Sequence, residues 1–240
     1  MIGKTGLIRG AALLAAAVLP APCAAATYTE FADRPSFSLA TGAKITDRYE
    51  DPGYQSVMTD AQMSAVFGQA TYFTYGGNVT DYNNVLPGFG VNGSYAYCSL
   101  CYGSFRLAFA TTSMAVAGAI YGVGLDVTLN AAAAPPFKYS ATVAFADGQV
   151  SSFELPYVPE SYPAHPDARF WGITSDEGIV SIDFVSHATT GDERTYLIID
   201  NLTIASPVPL PAPLLPTLAA AGWLARLARR GRRVQFTERH

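Results

Sequence analysis

Along the middle of the chain, hydrophobic residues recur at every second position, the period of a strand with one face buried. Phe105, Leu107 and Phe109 alternate with Arg106 and Ala108, and Val123, Leu125, Val127 and Leu129 alternate with Gly124, Asp126 and Thr128. Tyr139, Ala141, Val143 and Phe145 share one face, and residues 150–155 return after Asp147-Gly148. That dipeptide favours a two-residue turn whose central positions need positive φ, so 139–155 predicts a hairpin. A second hairpin is expected to join 170–174 with 179–185 through Ser175-Asp176-Glu177-Gly178, and a last strand to occupy 196–204. Only Asp60 to Phe67 reads as helical, for a turn or two.

Eight or more such strands, punctuated by Gly and Pro, fit an all-β fold: one antiparallel β-sandwich, jelly-roll-like, over residues 27–205. The run 131–136, four alanines and two prolines, reads as a loop within that domain because strand signals resume directly after it.

The two ends break the pattern. Residues 1–26 carry Lys4 and Arg9, an apolar run from Ala11 to Leu19, then Pro20, Pro22 and Ala24-Ala25-Ala26. The run is too short to span a bilayer, and its flanks are those of a signal helix cleaved before Thr27. In 206–240, the residues Pro207, Val208, Pro209, Leu210, Pro211 and Ala212 precede an apolar stretch over 213–225 and the cluster Arg226, Arg229, Arg230, Arg232 and Arg233. A helix over that stretch covers about 20–22 Å at 1.5 Å per residue, against a hydrocarbon core of roughly 30 Å. With Arg226 and Arg229 snorkelling and Trp223 at the interface it is expected to cross as a short transmembrane helix, its arginines in the cytoplasm.

In this order of motif, apolar stretch and arginine cluster, residues 207–233 resemble the VPLPA-type branch of PEP-CTERM sorting signals. The resemblance implies export through the secretion machinery, a transient anchor in the inner membrane, and recognition by an exosortase that cleaves near the motif. The protein would then reside at the cell surface or outside the cell. Residues 234–240 extend beyond the point where such tails usually stop. The body is similar, more loosely, to ectodomains found on such tails, in residues 97–105, in 171–179 and in Ile199-Asp200-Asn201-Leu202. That likeness implies a setting and a fold rather than an activity.

Charge sharpens the division. Of 15 Lys and Arg, two precede Thr27 and six follow residue 205, so the body keeps seven against 18 acids, a net charge of -11 where the whole chain has -4. A nucleic-acid binder presents a basic face, and this body excludes that class. Its hydrophobic content, 50% of the chain with 12% aromatic residues, excludes a disordered one.

Candidate chemistry is sparse. Outside the signal the cysteines are Cys98 and Cys101, and an even pair in an exported protein points to a disulfide. Free thiols and a metal or redox pair are the alternatives; a strand follows where a redox pair wants a helix, and no second ligand pair accompanies them. His165 and His187 stand in no nucleophile motif, and neither Gly-x-Ser-x-Gly, His-Glu-x-x-His nor a phosphate-binding glycine loop occurs. The body therefore reads as non-enzymatic. A glycan-cleaving enzyme, which needs two carboxylates facing across a cleft, is the most distant reading.

Acids grouped as Asp47, Glu50 and Asp51, as Asp176 and Glu177, and as Asp192 and Glu193 offer oxygens of the kind a structural Ca²⁺ takes. None follows the EF-hand pattern, and solvated turn acids are the plainer reading. Aromatic residues concentrate from Tyr72 to Tyr102 and again at Tyr157, Tyr162, Phe170 and Trp171, where exposed rings could stack on sugars and buried ones would build the core. The expected function is a non-enzymatic structural or adhesive component of the cell surface or extracellular matrix. The alternative is a calcium-assisted carbohydrate-binding module that contacts extracellular polysaccharide.

Overall fold

The computed structural model describes residues 27–75, 80–100, 103–132, 139–158, 167–186 and 195–208. The expected signal helix, the tail beyond Val208, Cys101 and both body histidines lie outside the described residues. Two helices and twelve strands follow one another as β1 (Tyr28–Phe31), α1 (Arg34–Ala40), β2 (Thr41–Asp47), β3 (Val57–Met58), α2 (Asp60–Phe67), β4 (Thr71–Tyr75), β5 (Asn83–Pro87), β6 (Tyr95–Cys98), β7 (Ser104–Ala108), β8 (Ile120–Ala132), β9 (Tyr139–Phe145), β10 (Val150–Glu154), β11 (Arg169–Ser186) and β12 (Thr195–Pro207). All the strand pairings are antiparallel.

The strands form one hydrogen-bonded sheet in the order β10-β9-β11-β8-β12-β6-β5-β3, with β1 and β7 also on β11, β2 on β12 and β4 on β7. The sheet curls because β11 serves two neighbourhoods. Its first part pairs with β1 and β8, and its second with β9 and β7. The two halves thereby face each other across one core, in which Leu107, Val143 and Ile182 from one half meet Val123, Leu125 and Ile204 from the other. Trp171, from the first part of β11, meets Phe184, from the second, edge-on at 6.4 Å, and Phe184 stacks on its cross-strand partner Phe105 at 4.7 Å. The all-β, sandwich-like reading of the sequence corresponds to this arrangement.

The hairpin over 139–155 forms as the pattern predicts, with Tyr139, Ala141, Val143 and Phe145 all buried. The second expected hairpin does not form. Ser175 to Gly178 lie inside β11, where Ser175 pairs with Tyr28 and Ile179 pairs with Phe145. Gly178 has φ +83°, and the register slips between Ile179 and Ser181, so the strand bends from one half of the sheet to the other instead of reversing. Asp176 and Glu177 are polar because this corner is exposed, which gives it the composition of a turn.

Both helices have local causes. Thr59 caps α2 in a reciprocal box with Gln62, and Gly68 closes it in the left-handed region at φ 67°. The sequence reading missed α1. Asp33 caps it by accepting the Ser36 N–H at 2.7 Å, and Pro35 sits in its first turn. Its one buried residue, Phe37, lies against Phe31 and Phe170 over a glycine floor. That floor is Gly122, Gly124 and Gly172; a Cβ at Gly124 would stand 2.6 Å from Phe170 Cζ, and one at Gly172 would stand 2.8 Å from Phe170 Cε1. Among the described residues, no helix is long and apolar enough to cross a membrane.

Candidate functional site

Two hollows on the described surface are separated by the fate of their carboxylates. The larger, about 400 Å³, lies where β2 ends and is lined by Asp47, Arg48, Glu50, Asp51, Tyr54 and Gln69 among others. It contains the first acid group picked out in the sequence. Asp47 is buried, and both its oxygens are engaged: Oδ1 accepts the Tyr49 N–H at 2.8 Å and Oδ2 accepts the Tyr54 hydroxyl. The first of these bonds holds Tyr49 in the left-handed region at φ 57°, an uncommon state for a bulky residue. Burial, opposed by these hydrogen bonds, raises the Asp47 carboxyl to about 6. Asp51 Oδ1 is likewise taken by the Gly53 N–H at 2.7 Å.

From Tyr49 a polar thread runs through the core. Its hydroxyl meets that of Tyr72 at 3.3 Å, and its ring stacks on Tyr97, which donates to Asn83 Oδ1 at 2.7 Å. Asn83 donates in turn to Asp60 Oδ1 at 2.8 Å. Burial pushes all three tyrosines well above their ordinary range. Tyr72 and Tyr97, two aromatic residues flagged as potential sugar contacts, are thus core residues, while Phe73 and Tyr95 are exposed.

The smaller hollow, about 270 Å³, lies between the exits of β1 and β10. Glu30 and Glu154 line it, with Phe31, Pro156, Phe170 and Trp171 as walls. Trp171 donates its Nε1–H to Glu30 Oε1 at 2.9 Å, which orients that carboxylate. Tyr28, two residues before Glu30 and therefore on the same face of β1, stacks on Phe145 and meets Phe153 edge-on, yet stays 43% exposed. Tyr157, next to Pro156, is 52% exposed. Neither glutamate stood out in the sequence, because nothing local brings residues 30 and 154 together. The only available signal was the aromatic group of Tyr157, Phe170 and Trp171.

The Ile199-Asp200-Asn201-Leu202 segment is structural. Asp200 is buried and accepts from the Val91 N–H at 2.9 Å, the Ser94 hydroxyl at 3.0 Å and the Asn201 N–H at 2.6 Å, so it fastens the turn before β6 to β12. Burial raises its carboxyl above the usual range. Asn201, at φ 50°, donates to Asp126 at 2.8 Å, and Asp126 pairs with Arg34 of α1 at 3.0 Å. Asp176 and Glu177 sit on the exposed corner of β11. Asp192 and Glu193 lie outside the described residues, and among those described no three metal-ligating side chains converge.

Cys98 ends β6, is fully buried and is disulfide-bonded; the expected partner, Cys101, lies outside the described residues. Of the expected sorting motif, Pro207 closes β12 and Val208 follows it, exposed. Pro209, Leu210, Pro211, Ala212 and the arginines from Arg226 to Arg233 lie outside the described residues.

No protein-family model and no curated protein matches the chain. Among solved structures it is similar to the CBM22-1–GH10 modules of the N-terminal endo-1,4-β-D-xylanase 10B of Clostridium thermocellum, complexed with xylohexaose. Identity is 15% over 65% of this chain and 28% of that one, with a TM-score of 0.28. A likeness that loose says nothing about a ligand for this chain.

Proposed function

We propose that this chain is an exported protein with a jelly-roll-type β-domain. Its signal delivers it, an exosortase sorts it through the VPLPA-type tail, and it remains at the cell surface or in the extracellular matrix as a non-enzymatic structural or adhesive component. The observation that supports this reading lies in the sequence, where the signal-like residues 1–26 and the motif, apolar stretch and arginine cluster of 207–233 bracket the body. The first described strand begins at Tyr28 and the last ends at Pro207. Thr27 already accepts the Asp176 N–H at 3.4 Å, and Pro207 still pairs with Thr41. A Cys98–Cys101 disulfide belongs to the same reading, since such bonds form and persist in oxidising compartments.

Intact mass of the protein recovered from the surface of its native host tests this. The expected product lacks residues 1–26 and the segment after Ala212, and carries the mass deficit of one disulfide. Full-length protein recovered from soluble cytoplasm would overturn the proposal.

A second reading, carbohydrate binding, is favoured by one observation: exposed Tyr28, stacked on Phe145 and edge-on to Phe153, shares a face of β1 with Glu30 of the smaller hollow. A glycan array probed with the full-length chain, with and without a calcium chelator, tests the reading and its calcium dependence together. Binding abolished by chelator assigns a cation to the site; absence of binding in both arms removes the reading.

A further inference from the structure

We propose that the larger hollow, where β2 ends, binds a small zwitterion, an α-amino acid with an apolar side chain, between Arg48 and Glu50. The two residues flank buried Tyr49, are exposed themselves, and line the same hollow of about 400 Å³, a volume at the small end of the range for small-molecule pockets. Opposite in charge and two positions apart, they form no ion pair with each other. Among the described residues neither side chain has a hydrogen-bonding or ionic partner.

Two further groups complete the polar rim. Gln69 lines the hollow, and its Oε1 accepts the Ser113 N–H at 2.9 Å, the Thr112 hydroxyl at 2.9 Å and the Ser113 hydroxyl at 3.0 Å. A backbone N–H can only donate, so the oxygen arm of the amide is fixed there, and Nε2 is the arm left without a partner among the described residues. Asp51 spends Oδ1 on the Gly53 N–H at 2.7 Å and keeps Oδ2. Asp47 is buried and already bonded through both oxygens, so it serves the fold rather than a ligand. The available groups therefore sort into two donors, Arg48 and Gln69, and two acceptors, Glu50 and Asp51, beside the half-buried apolar side chains of Val66 and Phe67.

Charge selects the ligand. A neutral polyol would cover both ions and neutralise neither, and an ion taken from water without a partner is costly. An anion alone would meet Glu50, Asp51 and a body of net charge -11, and a cation alone would leave Arg48 unanswered. A zwitterion answers both. Its carboxylate accepts from the Arg48 guanidinium and the Gln69 amide, and its ammonium donates to Glu50 and Asp51. An α-amino acid carries both charges on one carbon, suited to two outward side chains separated by a single residue, and its apolar side chain would leave water against Val66 and Phe67.

Calorimetric titration of the full-length chain in detergent tests the site. L-Leucine and L-phenylalanine are the probes, with leucinamide, which lacks the carboxylate, N-acetylleucine, which lacks the ammonium, and glucose for comparison. At least one of the two amino acids should bind, and both blocked leucines should bind about tenfold more weakly, each having lost one charge-assisted contact. Arg48→Gln and Glu50→Gln, both at exposed positions, should each weaken the amino acid by about tenfold. Arg48→Gln should also erase the preference over leucinamide, and Glu50→Gln the preference over N-acetylleucine. Glu177→Gln, on the exposed corner of β11, should change nothing. Failure of both amino acids to bind, or binding that neither Arg48→Gln nor Glu50→Gln weakens, would overturn the site. Glucose bound in preference and lost in the same two variants would overturn the ligand class. A dimer in sedimentation that either variant dissociates would make a second copy of the chain the occupant and overturn the proposal.

Discussion

The Tyr54 hydroxyl donates to Oδ2 of Asp47, and that bond seals a carboxyl whose other oxygen already pins the backbone of Tyr49. Asp47 therefore acts as a fastener between the end of β2 and the tyrosine-lined core. Removed from water, its carboxyl titrates at about 6 in the fold against an ordinary 3.8.

The sign of the resulting pH effect follows directly. A carboxyl raised on folding contributes stability that is complete below about pH 3.8 and is lost as pH rises through about 6. The shift corresponds to about 3 kcal/mol at most. Asp200, also raised by burial, acts in the same direction. Urea denaturation at pH 4.5 and 7.5 should show a larger loss of stability with pH in the native sequence than in Asp47→Asn; identical pH profiles would contradict the assignment.

Gly124→Ala should destabilise the domain by about 1–3 kcal/mol, because the added methyl meets Phe170 and Phe37 where the floor has no room. Combining it with Phe170→Leu should recover part of the loss in chemical denaturation. If the two changes add without recovery, the ring contact is not the cause.

Asp200→Ala removes the acceptor for four donor groups at once, among them the Val91 N–H and the Ser94 hydroxyl. A cost of about 2 kcal/mol is expected, with faster amide hydrogen exchange at Val91 and Asn201. Unchanged protection at both amides would show that β12 and the 91–94 turn are held together by something else.

Arg106 chelates Asp183 through Nε and Nη2, and Tyr75 donates to the same carboxylate at 2.7 Å, yet half of the arginine side chain is in solvent. Arg106→Gln should change stability by less than about 1 kcal/mol, with still less effect in high salt. A change of several kcal/mol measured by thermal unfolding would mean that the outer face of β7 and β11 is shielded in solution.

Elements governed by near neighbours could be read from the sequence. Asp147-Gly148 specifies its hairpin within two residues, and Thr59 with Gln62 specifies the start of α2 within four. Helix α1 left a fainter trace, Asp33 followed by Pro35, and its single apolar contact, Phe37, makes no periodic pattern. The Ser175 to Gly178 corner has turn composition for the same reason that a turn does, exposure and a positive φ. Whether the chain reverses there is decided by strands 50 and 150 residues away. The hollow near Glu30 was illegible on the same principle, since β1, β10 and β11 meet only after the sheet curls. Asp47 read as a solvated turn acid and nothing marked Asp200 as buried, because burial is a property of the assembled core and leaves no mark in the adjacent residues.

The position of Pro207 has a mechanical consequence. The end of β12 is an interior strand, hydrogen-bonded to β8 on one side and β2 on the other. A pull applied through the tail would run along the strand axis and load both ladders in shear, so that many bonds must fail together rather than peel singly. A domain tethered at that point meets tension at one of its strongest seams, and its lifetime under load would be set by the rate at which that pair of ladders gives way.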